Sequence, residues 1–270
     1  LAENFDTATE KIMDISGNDN HTNYSSGTFT KGSESGNGAS AIIPYISGTT
    51  GTKLKWPTGS IPTNFTICSI TRYAGSNKGR ILNSYSNGNF SHGHYSGKRG
   101  SAYYDGWKTK SNSEPLRQIN GATEDLKTDE WLVMCGKNDT SKHILANGFN
   151  VGHETHSGGV GNYDLAINTK HSASDWALNQ VWIWDQHLTD NELDIVSNYL
   201  LNYLRNSYKE NDKIKFRVGA RKRYKTKSVS TSVQSITDSY ISEGSGSYSI
   251  KDVATDEFIV PFSEYTLIGC

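Results

Sequence analysis

Residues Ser172–Leu204, SASDWALNQVWIWDQHLTDNELDIVSNYLLNYL, constrain the fold more than any other stretch of the chain. Trp176 to Trp184 reads as a buried strand, rich in the aromatic and branched residues that suit a pleated sheet. The turn Asp185 to Asp190 follows at once. Thr189 and Glu192 then stand at capping-box spacing, each side chain placed to accept the other's backbone N–H. Leu193, Val196, Leu200, Leu201 and Leu204 recur at helical spacing, so one stripe of the helix is apolar. Short strand patterns dominate the chain before this point. The expectation is an all-β fold: a two-sheet jelly-roll sandwich sealed by one C-terminal helix.

The preceding residues support that reading. Ala41–Tyr45, Thr52–Trp56, Phe65–Tyr73, Gly79–Tyr85, Asn89–Tyr95, Ser101–Trp107 and Trp131–Gly136 are strand candidates separated by turn residues. Residues 25–40 are rich in Gly and Ser and read as loop, and Pro57-Thr58-Gly59 is expected to break a strand. Asn147-Gly148 predicts a hairpin turn. Residues 114–129 read as a polar excursion. Two regions are expected: residues 1–208 as the sandwich, and 209–270 as a small β extension for docking or assembly with neighbouring subunits. In the extension, residues 213–218, 228–240 and 248–259 carry the strand patterns.

Net charge is −1, which argues against nucleic acid as the main partner. The balance is −3 over residues 1–208 and +2 over 209–270, the basic excess including Arg221-Lys222-Arg223. Such a run usually belongs to a solvated face or tail. No apolar run is long enough to span a bilayer. The chain starts at Leu1 without a signal peptide, as a mature or trimmed product would. Glycosylation acceptors at Asn20, Asn23, Asn64, Asn89 and Asn138 are compatible with secretion. Cys68 and Cys135 fall in two predicted strands. A disulfide is open to them if those strands are neighbours, and two separate buried thiols are an equal alternative. Cys270 is left over by count.

Several segments, in order, resemble the laminin-G-like branch of the concanavalin A-like lectin/glucanase superfamily. Asp14-Ile15-Ser16-Gly17-Asn18 is similar to its early D-L-S-G-N turn, and Phe65-Thr66-Ile67 to its F-T-I strand. Trp131–Gly136 stands where its W-x-x-V strand does. Ala146-Asn147-Gly148 before Val151-Gly152 resembles its hairpin, and Trp176–Glu192 its closing strand and helix start. The resemblance covers residues 10–205. The segment HGHYSGKRGSAYYDGW looks like a subtype found in algae and large algal viruses. The resemblance implies a two-sheet jelly roll that binds glycans or proteins, in some members with a calcium ion at the sandwich edge. Fold alone does not settle function.

His92 and His94, at i and i+2 of a strand, project to one face. Two imidazoles there have the geometry for zinc or copper, with Asp105, His153 or His156 as third ligand. The bland alternative is that both rings line a groove or pack on a half-exposed sheet. Tyr103, Asp105 and Trp107 share one strand face. With His92, His94, Tyr95 and Arg72 or Arg80 nearby, they form a glycan platform: flat rings stack on sugar C–H surfaces and a carboxylate accepts hydroxyls. Core packing of the same aromatics is the competing reading. Asp14, Asn18 and Asp175 offer loop oxygens of the kind calcium takes, though such residues ordinarily make Asx turns. His153-Glu154-Thr155-His156 has HExH spacing and Gly-rich flanks, so it is no helical zinc-protease motif. The glucanase pattern E-x-D-x-x-E is missing, and Glu192-Leu193-Asp194 falls on the helix. The expected function is a non-catalytic recognition or structural module of an extracellular, cell-surface or virion assembly, with a glycan or protein ligand. The alternative is a polysaccharide-degrading enzyme with a non-standard site.

Overall fold

A computed structural model of the chain describes residues 2–86, 90–110, 128–153, 156, 158–169 and 172–205, together with short strands between 246 and 268. The chain divides into two compact units, Leu1–Glu210 and Asn211–Cys270.

In the first unit the strands are β1 (Phe5–Asp6), β2 (Lys11–Ile12), β3 (Tyr24–Ser26), β4 (Thr30–Gly36), β5 (Ala39–Gly48), β6 (Lys53–Ile61), β7 (Thr66–Tyr73), β8 (Leu82–Asn83), β9 (Phe90–Tyr95), β10 (Lys98–Tyr104), β11 (Leu132–Lys137), β12 (Leu145–Ala146), β13 (Phe149–Asn150), β14 (Tyr163–Ile167) and β15 (Trp176–Trp184). Helix α1 (Asp190–Tyr203) follows. One sheet has the order β10-β9-β8-β14-β6-β3, the other β13-β12-β11-β7-β15-β5-β4. This is the expected β-sandwich with a single C-terminal helix.

Strand β7 shows why the layers stack this way. It lies between β11 and β15, and all eight of its residues are buried. Period-2 alternation splits them. Ile67 and Tyr73 enter the core between the sheets, with Phe65, Phe90, Tyr104, Leu132, Met134 and Trp176. Cys68 and Ile70 face the other way, into a second cluster with Val133, Leu193 and Leu200, which α1 covers. Cys68 stands opposite Cys135 in the β7–β11 register, and the two form a disulfide.

The helix cap is built as its sequence spells it. Thr189 Oγ1 accepts the Glu192 N–H, and Glu192 accepts the Thr189 N–H at 2.8 Å. Leu193 and Leu200 are fully buried, each contributing about 2 kcal/mol by the area it removes from water. Leu204 O ends the helix by accepting the N–H groups of Ser40 and Ala41. Trp176 is also fully buried, and Ile183 is partly so.

Two expectations about strands are corrected. Residues 25–40 are not loop: β3 and β4 occupy most of them, and β4 pairs with β5 from Thr30↔Ser47 to Gly36↔Ala39. The turn joining them is Asn37-Gly38, with φ of 49° and 82°, the left-handed pair that an Asn-Gly hairpin requires. Pro57 does not end β6 either. The strand runs on to Ile61, and its ladder with β14 is irregular where Thr58 faces Asp164, which is how a sheet tolerates proline. Asn147-Gly148 forms the expected turn between β12 and β13.

In the second unit, Gly246–Ser247 pairs with Leu267–Ile268 and Ile250–Lys251 with Phe258–Val260, all antiparallel. The strands expected at 213–218 and 228–240, the Arg221-Lys222-Arg223 run, Cys270, Asn89, Glu154-Thr155 and most of the 114–129 excursion lie outside the described residues.

Candidate functional site

The β9–β10 hairpin turns through Ser96 and Gly97, at φ of 50° and 80°. Its register fixes which side chains face out. Phe90, His92, Ala102 and Tyr104 point toward the core, so Tyr95 and Tyr103 point away from it. Past Tyr104 the backbone reverses through Asp105, at φ 58°, and Tyr104 donates its N–H to Gly106 O. The reversal brings Trp107 back beside Tyr103 as an antiparallel bridge.

Three aromatic rings therefore meet on the outer face of the six-stranded sheet. Trp107 lies edge-on to Tyr103 at 4.8 Å and to Tyr95 at 5.3 Å, both at 79°. The Arg80 guanidinium carbon sits 5.3 Å from the Tyr95 ring centre. All four residues are half-buried, so each keeps solvent-facing surface. Arg80 is held in place through its backbone: its N–H donates to Ser172 O and its carbonyl accepts Ser174 Oγ. Next to it, Lys78 O accepts Gly97 N–H, which ties the hairpin tip to the same segment.

A buried lysine follows Trp107 in the chain. Lys108 has no exposed surface, and its ammonium donates to the carbonyls of Asp139, Ser141 and His156 at 2.5 to 2.9 Å. Burial pushes its pKa down from the ordinary lysine value, and the nearby Asp139 carboxylate opposes that shift. Lys108 N–H also donates to Ala102 O, and Lys108 O accepts His153 N–H. Thr109 Oγ1 accepts Ala102 N–H at 3.0 Å. The residue that carries the indole is thus followed by a segment pinned to both neighbours. Nothing local in the sequence marks Lys108, because its partners lie 31 to 48 residues away.

Of the residues singled out from sequence, Arg80, Tyr95, Tyr103 and Trp107 converge. The others do not. His92 and His94 share a face as expected, but that face is the interior, and neither has any exposed surface. His92 Nδ1 is 2.7 Å from Tyr104 Oη and Nε2 is 3.2 Å from Met134 O. His94 packs edge-on to Tyr73 at 4.6 Å, with Nδ1 3.4 Å from Thr71 Oγ1. Burial drives the His92 pKa down to about 3 and that of His94 well below its usual value. A ligand on the outer face therefore cannot reach either ring. Phe90, two residues before His92 and wholly buried, was the sequence signal for the inward side.

Arg72 belongs to the other sheet. It projects from β7 on the α1 side, pairs with the Glu34 carboxylate at 2.5 Å and lies over the rings of Tyr45 and Trp131. Asp105 occupies the reversal rather than the strand face and is exposed. The candidate calcium residues do not share partners. Asp14 caps its own loop by accepting Ser16 N–H, Ser16 Oγ–H and Asn20 N–H, while the Asn18 N–H donates to Ser16 Oγ. Asp175 instead accepts from Thr50 and Asn77 at the start of β15. The Asp14 bonds are of the local Asx type, whereas Asp175 tethers two segments distant in sequence. Among the described residues, no three His, Cys, Asp or Glu side chains cluster as a metal site would need. Asn138 is buried, donating to Thr63 O and Gly159 O, so it is no glycosylation acceptor. Among the described residues, no helix is long and apolar enough to cross a membrane.

No protein-family model matches the chain, and no curated protein matches it. Solved structures do show a similar chain path. The binding domain of Paraclostridial Mosquitocidal Protein 1 is 13% identical, over 70% of this chain and 49% of that one, with a TM-score of 0.46. Domain 4 of AbnA, a GH43 extracellular arabinanase from Geobacillus stearothermophilus in complex with arabinotriose, is 11% identical over 64% and 82%, with a TM-score of 0.44. The binding domain of Botulinum neurotoxin DC in complex with rat synaptotagmin II is 14% identical over 70% and 49%, with a TM-score of 0.41. The chain spans about half the length of the first and third of these. At such identity the likeness is one of chain path alone.

Proposed function

We propose that this chain is a non-catalytic recognition module that binds glycan through the Tyr95–Tyr103–Trp107 face. The carrying observation is the convergence of three half-buried rings and one guanidinium on a single outer surface. The three rings are half-buried, so each leaves part of its surface to meet the C–H surface of a sugar ring. Arg80 supplies donors for hydroxyl or carboxylate groups at the edge of that surface. Glycoside hydrolysis takes two carboxyl groups across the scissile bond, and the segment from Phe90 to Lys110 that carries the rings offers only Asp105. The reading extends to membership of the laminin-G-like branch, to an extracellular, cell-surface or virion setting, and to an assembly role for residues 209–270.

The experiment is a glycan array followed by titration of the best ligand against the intact chain and Trp107→Ala. The indole is worth about 1–3 kcal/mol of contact, so the variant should bind about 5- to 150-fold more weakly. Equal binding by the variant refutes the platform, and an array without hits refutes the glycan reading. Sizing the chain with and without residues 209–270 tests assembly: an unchanged monomer speaks against it.

A further inference from the structure

A second site lies inside the sandwich rather than on its face. Between the inner sides of β6 and β15, behind the loop from Met13 to Asn20, there is a cleft of about 650 Å³. That volume falls in the range of small-molecule sites, about 300 to 1,000 Å³. Its walls are Ile12, Trp56, Leu165, Leu178, Val181 and Ile183. Four of these are core residues, whereas Val181 and Ile183 pack on the core yet stay only partly buried. Ile12, Trp56, Leu165 and Leu178 are buried beneath the cleft, and the apolar surface it offers comes from Val181 and Ile183 with the exposed Met13 and Ile15 of the loop. Water against such a wall is unfavourable, and an apolar occupant gains by displacing it.

The rim sets the sign of charge that fits. Asp14 and Asp185 both line the opening, and no Lys, Arg or His does. Burial pushes the Asp14 pKa up, but the hydrogen bonds from Ser16 and Asn20 outweigh it, so the carboxyl stays ionised below the ordinary range. Those bonds also fix where the charge sits. Asp185 is exposed at the end of β15. A free fatty acid or sulfate ester would meet two carboxylates, with His21, whose Nδ1 accepts the Asp14 N–H, as the basic group beside them. A wholly polar sugar would leave the apolar walls unsatisfied.

We infer that the cleft binds a cationic amphiphile, its apolar portion between the sheets and its ammonium-type head beside Asp14 and Asp185. The site is independent of the aromatic face, which lies on the opposite side of the six-stranded sheet. The test is calorimetric titration of the intact chain with dodecyltrimethylammonium, dodecyl maltoside and dodecyl sulfate, each below its micelle concentration. The cation should bind saturably at one site, about tenfold tighter than the neutral head and tighter still than the anion, as expected for fixed charge at a partly screened rim. Val181→Trp fills the cleft and should abolish that binding while keeping the thermal transition. Asp185→Asn, at an exposed position, should narrow the gap between cationic and neutral heads. Trp107→Ala should leave amphiphile binding unchanged. The inference is overturned if the sulfate binds as tightly as the cation, if no saturable binding occurs, or if a folded Val181→Trp binds as before. Should Val181→Trp fail to fold, an unaltered cation preference in Asp185→Asn overturns it.

Discussion

Mild acid should destabilise this protein well before its carboxylates titrate, because His92 and His94 are buried neutral. In the unfolded chain each imidazole takes up a proton below its ordinary pKa, about 6.5. In the folded chain burial holds His92 neutral down to about pH 3, and holds His94 neutral well below its ordinary range. The unfolded state thus binds more protons, so stability rises with pH in this window. It is complete above about 6.5 and is lost progressively as pH falls toward the folded pKa. Between pH 7 and pH 5 each ring protonates in the unfolded chain by about 1.4 pH units' worth of free energy, or about 2 kcal/mol, and the pair by about 4 kcal/mol. Carboxylates add little there. Asp164, for example, is pushed up by burial, but hydrogen bonds from Ser86 and Ser84 outweigh that and leave its pKa lowered, so its loss comes at still lower pH. The assay is urea unfolding at pH 7, 6, 5.5 and 5 for the wild type and His94→Leu. The variant should show about half the wild-type slope of stability against pH. A wild-type curve flat from pH 7 to 5 would refute the burial of these rings.

Three further outcomes follow from contacts described above. Lys108→Met leaves three carbonyls without their donor and should cost about 2–4 kcal/mol by thermal or urea unfolding, together with glycan affinity; loss of neither would mean that Trp107 is positioned without it. The Cys68–Cys135 bridge closes a loop with a sequence separation of 67, so the Cys68→Ala/Cys135→Ala double variant should lose about 4 kcal/mol in urea unfolding. Thr189→Ala removes the helix cap at about 1 kcal/mol, which a small fall in the thermal midpoint would report.

What could be read from the sequence was whatever is local or periodic. The Thr189–Glu192 cap and the Leu193–Leu200 stripe depend on neighbours three to seven residues apart, and both stand as written. Period 2 put His92 and His94 on one face, but which face depends on the sheet opposite, and only Phe90 hinted at it. Strand β4, TKGSESG, has no apolar alternation, because it is an edge strand with little to bury; its Asn37-Gly38 turn was the overlooked sign. Arg72 and Arg80 are close in sequence yet serve different sheets, since one ends in a central strand and the other follows the crossover to the second layer. Tyr95, Tyr103 and Trp107 were legible as a group because one hairpin and its reversal hold all three. Lys108 and the cleft arise from packing between distant segments, and no window of sequence contains either.

The most direct test of the recognition surface is a spectrum of the chain labelled at its six tryptophans, recorded with and without the best glycan. Trp107→Phe assigns its indole signal by loss. On glycan addition the Trp107 indole N–H should shift, while those of the buried Trp131 and Trp176 stay fixed. A Trp107 signal that does not move under saturating glycan, while another indole does, would contradict the account.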